Sequence, residues 1–305
     1  MSNTRAIQKV AASRPVIEGA GVHLRRAFGF GPMRQLDPFL LLDDFRSKEP
    51  RDYIRGFPWH PHRGIETISY VLEGRVEHGD SLGNSGVIGS GDVQWMTAGG
   101  GIIHQEMPKG DDAGHMGGFQ LWANLPASHK MMPPRYQDIK SGQIPTLTTT
   151  DGATIRVICG EVNGVVGPVK DIVTDPRYLD VTVVRDSEVT LPTTAGHTVV
   201  AYVIDGAASF CPGQARDTYE VDSESDPACG AFWGNGSLIV FGDGDQMIVS
   251  TAADSVRFLL MSGKPIREPV AWYGPIVMNT QDELEEAFEQ YRNGTFLKQQ
   301  QAQSD

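Results

Sequence analysis

The chain has 305 residues, of which 40% are hydrophobic and 21% are charged, an ordinary composition for a protein that buries a core. At about 150 residues per domain, this length predicts two domains. The net charge of −12 argues against direct binding to nucleic acid, which needs clustered Lys and Arg. No run approaches about 18 consecutive apolar residues, so we expect no membrane-spanning segment.

The N-terminal residues and the cysteines both favour a reducing, cytoplasmic setting. The first residues, MSNTRAIQKVAASRPV, lack the apolar stretch that a secretory signal needs. Cys159, Cys211 and Cys229 are scattered, odd in number and outside any CxxC pattern. They are therefore predicted to be buried thiols, and neither a disulfide framework nor a zinc site.

Short β-branched and aromatic runs, closed by Gly, Pro, Asp or Asn, follow one another along most of the chain. Many short strands joined by turns are typical of a β-sandwich or β-barrel and not of alternating strands and helices. The sequence therefore predicts an all-β fold. The clearest runs are 67–74 (TISYVLEG), 154–162 (TIRVICGEV), 178–184 (YLDVTVV), 198–206 (TVVAYVIDG) and 255–263 (SVRFLLMSG).

The first chemical motif lies in residues 57–74, FPWHPHRGIETISYVLEG. Alternate residues of a strand point to the same face. If this strand is continuous, His60, His62 and Glu66 share one face, with large apolar side chains beyond them. Such a strand places donor atoms at the mouth of a barrel and packing residues below.

The second motif follows the glycine run 99–101, which permits a sharp bend. His104 and Glu106 are again two residues apart. Two strands that each offer such a pair can close a site of three imidazoles and one carboxylate, which suits a redox-active iron centre with open positions for oxygen. A lone HxH or HxE pair more often makes hydrogen bonds in a core, but the combined spacing predicts a metal site.

An internal repeat suggests that one barrel domain is built twice. Residues 70–74 (YVLEG) recur as 202–206 (YVIDG), an offset of 202 − 70 = 132. Chance similarity between hydrophobic strands that end in Gly is the alternative. At the same offset, the places of the two histidines and the glutamate are held by Pro192, Thr194 and Thr198. We therefore expect the second barrel to lack a metal site.

The repeat and the composition predict the domain boundaries. Residues 1–135 are expected to form the metal-binding barrel, 136–150 a linker, and 151–305 the second barrel with a C-terminal helix and tail. The linker is placed where Pro133-Pro134 and the polar run 140–152 interrupt the strand pattern.

One helix is predicted near the C-terminus. Thr280 and Glu283 have the spacing of a capping box, in which each side chain satisfies the other's backbone N–H. Asn293-Gly294 supplies the end of the helix. Between them runs an apolar stripe at helical spacing, made of Leu284, Ala287, Phe288 and Tyr291.

Four segments resemble the pirin family of the cupin superfamily, and the resemblance covers nearly the whole chain. It implies a bicupin, with two tandem jelly-roll β-barrels packed face to face and one metal in the N-terminal barrel. The segments are 57–74, 78–84 (HGDSLGN), 91–108 (GDVQWMTAGGGIIHQEMP) and 274–280 (GPIVMNT).

The resemblance also implies a ligand set. The family's metal ligands carry over onto His60, His62, His104 and Glu106. One divalent metal per chain is expected, Fe(II) first, with Mn, Cu, Ni or Zn as alternatives.

Around the ligands, the resemblance implies supporting roles. Glu66 occupies the position where many other cupins place a carboxylate ligand, but in pirins it is expected outside the first shell, orienting a histidine or Arg63. Trp59, beside the ligands, is a candidate substrate contact. Pirins commonly have Arg in the middle of the glycine turn, and this chain has Gly100, which changes the charge expected at the pocket rim.

Two kinds of function follow from the resemblance. The first is a metal-dependent dioxygenase that cleaves a flavonol such as quercetin with O2, in which Glu106 takes the proton of the 3-hydroxyl and carbon monoxide is lost. The second is an iron-dependent, redox-sensitive binding protein that co-regulates transcription, in the nucleus of a eukaryote, or modulates a metabolic enzyme. Both depend on the same four residues, so product formation and affinity for a protein partner are what separate them.

Overall fold

The computed structural model describes residues 2–30, 36–215, 218–222 and 232–297. Within them, strands dominate, with two short 3-10 helices (Pro50–Asp52 and Ser141–Gln143) and one α-helix, α1 (Gln281–Arg292). In chain order the strands are β1 (Ile7–Ala12), β2 (Arg14–Glu18), β3 (Val22–Phe28), β4 (Phe39–Asp44), β5 (Phe57–His62), β6 (Ile65–Glu73), β7 (Arg75–Asp80), β8 (Ser85–Ile88), β9 (Val93–Thr97), β10 (Ile102–Lys109), β11 (Gly117–Asn124), β12 (Arg135–Ile139), β13 (Thr146–Thr148), β14 (Ala153–Cys159), β15 (Glu161–Val162), β16 (Val165–Val166), β17 (Arg177–Val183), β18 (Glu188–Pro192), β19 (Thr198–Phe210), β20 (Glu220–Val221), β21 (Trp233–Gly234), β22 (Ser237–Phe241), β23 (Gln246–Ser250), β24 (Val256–Gly263), β25 (Ala271–Tyr273) and β26 (Ile276–Met278).

The chain folds into two compact units, and both are discontinuous in sequence. We call them unit A, which contains the histidine motifs, and unit B. Unit A comprises the described residues of Val16–Leu24, Asp44–Lys140 and Ile266–Asp305, and unit B those of Met1–Pro15, Arg25–Asp43 and Ser141–Pro265.

These units differ from the predicted boundaries in the C-terminal region and in the predicted linker. Residues 266–297 belong with the histidine motifs, because α1 and β26 bury their apolar faces in a cluster that includes Ile103 of β10. Residues 136–150, predicted as a linker, include most of β12, which pairs with β9 from Arg135 to Ile139. The linker composition therefore hides an edge strand of unit A.

Unit A contains the four-stranded antiparallel sheet β5-β10-β7-β8 and the run β12-β9-β6-β11 of a seven-stranded sheet. Apolar residues from β6, β7 and β8 meet in one cluster, so the two sheets share a core. This arrangement brings β5 and β10, which carry the histidines, together with polar residues of β6 and β11. The cluster consists of Val22, Leu24, Phe45, Tyr53, Val71, Val76, Ile88 and Met116.

Unit B is built on a larger antiparallel sheet with an apolar centre. Its order is β13-β14-β17-β24-β19-β22-β1, with β20 added parallel to β1. In β14, alternation places Ala153, Ile155 and Val157 in the core. Cys159 and Cys211 are buried free thiols, as predicted, whereas Cys229 lies outside the described residues.

The predicted C-terminal helix is confirmed. Thr280 is the N-cap and accepts a hydrogen bond from the Glu283 backbone, and the Glu283 side chain completes the capping box. Leu284 and Ala287 are buried. Within the described part of the chain, no helix combines the length and apolarity of a membrane span.

The core of unit B gives a direct stability prediction. Phe258→Ala should lower the free energy of unfolding by about 3–5 kcal/mol, because Phe258 is fully buried and its ring packs edge-on at 5.2 Å against Phe210. Urea unfolding measures the loss. Val184→Ala, at a site 50% exposed, is the control and should change stability by less than about 0.5 kcal/mol. Equal effects of the two substitutions would contradict this assignment of the core.

Candidate metal centre

Antiparallel pairing of β5 with β10 brings the two histidine motifs together. His104 lies directly opposite His60 in the register, and Ile102 opposite His62. His60 and His62 point to the same side because they are two residues apart on one strand. The register of β10 with β5 shifts between His104 and Glu106, whereas its register with β7 has no shift from His104 to Lys109. The extra residue is therefore in β5, and His104 and Glu106 point to the same face of β10.

The backbone conformation of the turn before β10 requires glycine at two of its three positions. Gly99 and Gly101 have positive φ angles of +50° and +139°, and a Cβ on Gly99 would lie 2.1 Å from the carbonyl oxygen of Met132. Gly100 differs, since it has no such φ and a Cβ there would lie 3.3 Å from the Met131 carbonyl oxygen. The departure at Gly100 therefore leaves the turn, and with it the ligand strand, in place.

Three imidazoles converge at this point. Nε2 of His60 lies 3.0 Å from Nε2 of His62 and 3.0 Å from Nε2 of His104. All the ligand atoms of the three residues lie within 4.8 Å of one another. His62 and His104 are buried, and His60 is partly exposed.

Two of these rings carry their proton on Nδ1, which leaves the Nε2 lone pair available to a cation. Nδ1 of His60 donates to the carbonyl of Pro58 at 2.8 Å, and Nδ1 of His62 to the carbonyl of Pro275 at 3.3 Å. With the proton on Nδ1, each neutral ring turns an Nε2 lone pair toward the other. Two nitrogens bound to one ion at about 2.1 Å and at a right angle are about 3.0 Å apart. The residues present therefore fit a metal ion.

Burial keeps the imidazoles of His62 and His104 neutral. It holds the pKa of His62 well below its ordinary value, and the neighbouring His60 and His104 lower it further. Burial also lowers the pKa of His104 to about 4, although the nearby Glu106 acts in the opposite direction. Neutral imidazole is the form that binds a metal, so these two rings need lose no proton to bind one at neutral pH.

Glu106 is held beside the cluster as a carboxylate. Its Oε1 accepts from the hydroxyl of Ser69 at 3.0 Å, and its Oε2 from Nε2 of Gln120 at 2.9 Å. Burial acts to raise the pKa of Glu106. The charge interaction with His104, together with these hydrogen bonds, outweighs burial and holds this pKa below its usual value.

Three residues that sequence reasoning missed support this arrangement. Ser69 and Gln120 come from β6 and β11 and orient Glu106. The indole N–H of Trp122 donates to Oε1 of Gln120 at 3.3 Å, and its ring packs edge-on against His62 at 5.1 Å. The sequence signal for Ser69 and Gln120 is a polar residue within a largely apolar strand.

The predicted continuous strand from His60 to Glu66 is wrong. Gly64, with φ +78°, turns the chain between β5 and β6, which then join different sheets. Because β6 has a regular register with β9, Glu66 and Ser69 point to opposite faces. Oε1 of Glu66 accepts from the Thr97 hydroxyl at 2.7 Å, and burial raises the pKa of this carboxyl. Glu66 therefore lies away from the side that holds Glu106.

Arg63 and Trp59 also have surroundings that sequence reasoning did not anticipate. Arg63 is buried, and its guanidinium donates to the Gly100 carbonyl, to Oε1 of Gln290 and to the Phe296 carbonyl, each at 2.8 Å. These contacts attach the C-terminal residues to the glycine turn. Trp59 is 53% exposed, so it is at the surface beside His60.

Fold and site together define a two-domain cupin protein. The crystal structure of quercetin 2,3-dioxygenase from Acinetobacter baumannii superposes with a TM-score of 0.82 at 30% identity, covering 96% of this chain and 98% of that one. Residues 21–123 match the family model Pirin, and residues 178–297 match the Pirin C-terminal cupin domain. The chain belongs to the pirin family.

Relatives from bacteria and animals are similar along their whole length. The Pirin-like protein of Caulobacter vibrioides is 41% identical over 293 residues, which cover 96% of this chain and 99% of the relative. Human Pirin is 39% identical over 296 residues, covering 96% and 94%. The similarity therefore extends over nearly the whole length of both relatives.

The lowered histidine pKa values predict how the metal-free protein responds to acid. An unfolded histidine has a pKa of about 6.5, whereas folded His104 has a pKa of about 4. Stability contributed by the neutral ring is therefore fully present above about pH 6.5 and is lost as pH falls toward 4, by at most about 1.4 kcal/mol per pH unit for each such ring.

His104→Asn should make this loss of stability shallower. Urea unfolding of metal-free protein at pH 7, 6 and 5 measures the slope. The control is His23→Asn, which replaces a histidine whose side chain is 57% exposed and should leave the slope nearly unchanged. An identical slope in the wild type and His104→Asn would show that His104 is not buried in its neutral form.

Proposed function

We propose that the protein is an iron(II)-dependent dioxygenase that cleaves a flavonol such as quercetin with O2. The observation that carries this proposal is the convergence of three imidazole Nε2 atoms beside the oriented carboxylate of Glu106. The name of the Acinetobacter baumannii protein, quercetin 2,3-dioxygenase, supports the reaction class.

The proposed ligands are His60, His62, His104 and Glu106. Each carboxylate oxygen has two lone pairs, so Glu106 can contact a metal while it still accepts from Ser69 or Gln120. Ferrous iron, when bound, supplies open coordination positions and redox chemistry toward oxygen. Mn, Cu, Ni and Zn also accept imidazole and carboxylate ligands, so metal analysis must accompany every assay.

Glu106 is the proposed general base. Its lowered pKa keeps it ionised at neutral pH, and it takes the proton of the flavonol 3-hydroxyl. Gln120 retains its hydrogen bond and keeps the carboxyl in position. The deprotonated flavonol is the form that gives up electron density to oxygen.

Trp59 is the proposed contact for the aromatic part of the substrate at the surface. It is exposed and lies next to His60 in the sequence. An exposed indole offers a flat apolar face on which a flavonol ring can stack. This role is separate from catalysis and concerns substrate affinity.

The same iron-loaded protein also tests the alternative function, that of a redox-sensitive binding protein. Iron-loaded protein that takes up oxygen with a flavonol and forms carbon monoxide supports the enzyme. Full iron occupancy without turnover of any flavonol would overturn the enzyme proposal and favour the redox-sensitive binding protein.

Metal content is the first quantitative expectation. The purified protein should hold about one metal atom per chain, because the three converging imidazoles occur once among the described residues. His60→Ala should lose the metal and keep most of the fold, since unit A and unit B have apolar cores of their own. Elemental analysis with circular dichroism tests this, and His23→Ala is the control. Two tightly held metals per chain would contradict the assignment.

Glu106→Gln should suppress flavonol turnover far more than substrate affinity. Gln keeps the shape and one oxygen donor but cannot accept the hydroxyl proton, and positioned bases typically contribute about 10²–10⁴-fold in rate. Steady-state assays on iron-loaded variants, with metal measured on the same samples, give the loss.

Glu66→Gln is the matched control. Glu66 is also a buried carboxyl, but it lies on the face of β6 opposite to Ser69 and so away from Glu106. It should retain most of the activity. A larger loss from Glu66→Gln than from Glu106→Gln, at equal metal content, would transfer the role of base to Glu66.

A further inference from the structure

Lys130 is a buried lysine whose surroundings contain no ion pair among the described residues. It is 1% exposed. Its Nζ donates to three oxygens, the Gly64 carbonyl at 2.9 Å, Oδ1 of Asn124 at 2.6 Å and the Val277 carbonyl at 3.1 Å. Burying an ammonium is unfavourable unless each of its N–H groups has a partner, and here all three have one.

The ammonium form is retained at neutral pH. Burial lowers the pKa of Lys130 to about 8, and the more distant Glu268 and Glu283 act to raise it. A neutral amine would have only two N–H groups for the three acceptors. The socket therefore matches the charged form.

Two of these bonds join the turn after β5 to the C-terminal strap, the name we give to residues 266–297, and the third holds Lys130 to Asn124 of β11. Gly64 forms the turn directly after β5, and Val277 lies in β26 of the strap. The two backbones are so close that a Cβ on Gly64 would lie 1.9 Å from the Val277 carbonyl oxygen. The Val277 N–H also donates to the Arg63 carbonyl at 3.1 Å.

The same strap also contacts the outer nitrogen of His62. The Pro275 carbonyl, two residues before Val277, accepts from Nδ1 of His62, which is two residues before Gly64. Lys130 thus fastens both chain segments just beyond the contact that sets the proton position and ring orientation of His62. Metal-binding histidines depend on such outer contacts.

We propose that Lys130 is a positioning residue for the metal centre. By holding the strap against the turn after β5, it keeps the Pro275 carbonyl on His62 and the His62 Nε2 directed at the other two imidazoles. This role rests on the proposed metal site. Lys130 itself contacts none of the proposed ligands, and its effect reaches the site through the strap.

Arg63 fastens a different part of the strap. Its guanidinium reaches Gln290 and Phe296, at the far end from Pro275. It also packs at 4.1 Å over the ring of Phe296. Arg63 keeps the strap docked, whereas Lys130 sets the position of the residues next to His62.

The first test is Lys130→Met, which keeps the length of the side chain and removes the three donors. Outer-contact substitutions typically weaken metal binding about 10–100-fold, so release of cobalt(II) or iron(II) to a chelator should accelerate about tenfold or more. The visible spectrum of the cobalt(II) form should change as well, because the orientation of one ligand changes. A purely structural role would leave that spectrum unaltered.

Lys109→Met is the matched control. Lys109 lies on β10, the strand of His104, but its side chain is 47% exposed and pairs with Glu77. Metal release and the cobalt spectrum should equal those of the wild type. A folded Lys130→Met protein with wild-type release and spectrum would overturn the proposal.

The second test uses the wild type and does not depend on the folding of a variant. If the strap controls His62, metal must in turn stabilise the strap, since coupling is reciprocal. Hydrogen–deuterium exchange at the Val277 amide and its neighbours in β26 should slow when metal is loaded. Unchanged exchange would overturn the role of Lys130, whereas a wild type that binds no metal would overturn the proposed function as well.

Discussion

The Nε2 lone pairs of His60 and His62 face one another at 3.0 Å and repel unless a cation lies between them, and unit A is organised to hold them there. The backbone carbonyls of Pro58 and Pro275 fix the protons on the outer nitrogens of His60 and His62. Burial then disfavours the protonation that would relieve the repulsion. The arrangement is therefore maintained by the surrounding fold and not by the histidines themselves, as expected of a site prepared for an ion.

The part of the site that could be predicted was the part encoded in local spacing. Residues two apart on a strand share a face, so His60 with His62 indicated ligands without knowledge of the fold. The capping box at Thr280 was equally local. Ser69 and Gln120 could not be predicted, because they approach Glu106 from the opposite sheet and strand pairing is set by tertiary packing.

The face of Glu66 was misjudged for a related reason. Alternation holds only while a strand is continuous, and one glycine turn after His62 was enough to move Glu66 to the other face. The predicted domain boundary differs from the compact units because the C-terminal helix was assigned to the domain of its sequence neighbours. The apolar face of this helix, which includes Leu284, packs instead with Ile103 of β10. The centre of unit B is filled with apolar residues such as Ile155 and Phe258. A fold of this kind therefore does not by itself determine which side chains its interior holds.

The discontinuity of unit A has a consequence for the order of events in biosynthesis. The histidines lie early in the chain, but the carbonyl of Pro275 that orients His62 is added only after all of Ser141–Pro265, the largest part of unit B, has been made. Domains generally begin to fold from the N-terminus as they emerge from the ribosome. A nascent chain therefore exposes an immature ligand cluster during most of its translation, and a fully ordered centre arises only when the last segment docks. The geometry of the proposed metal site is in this sense set late in folding.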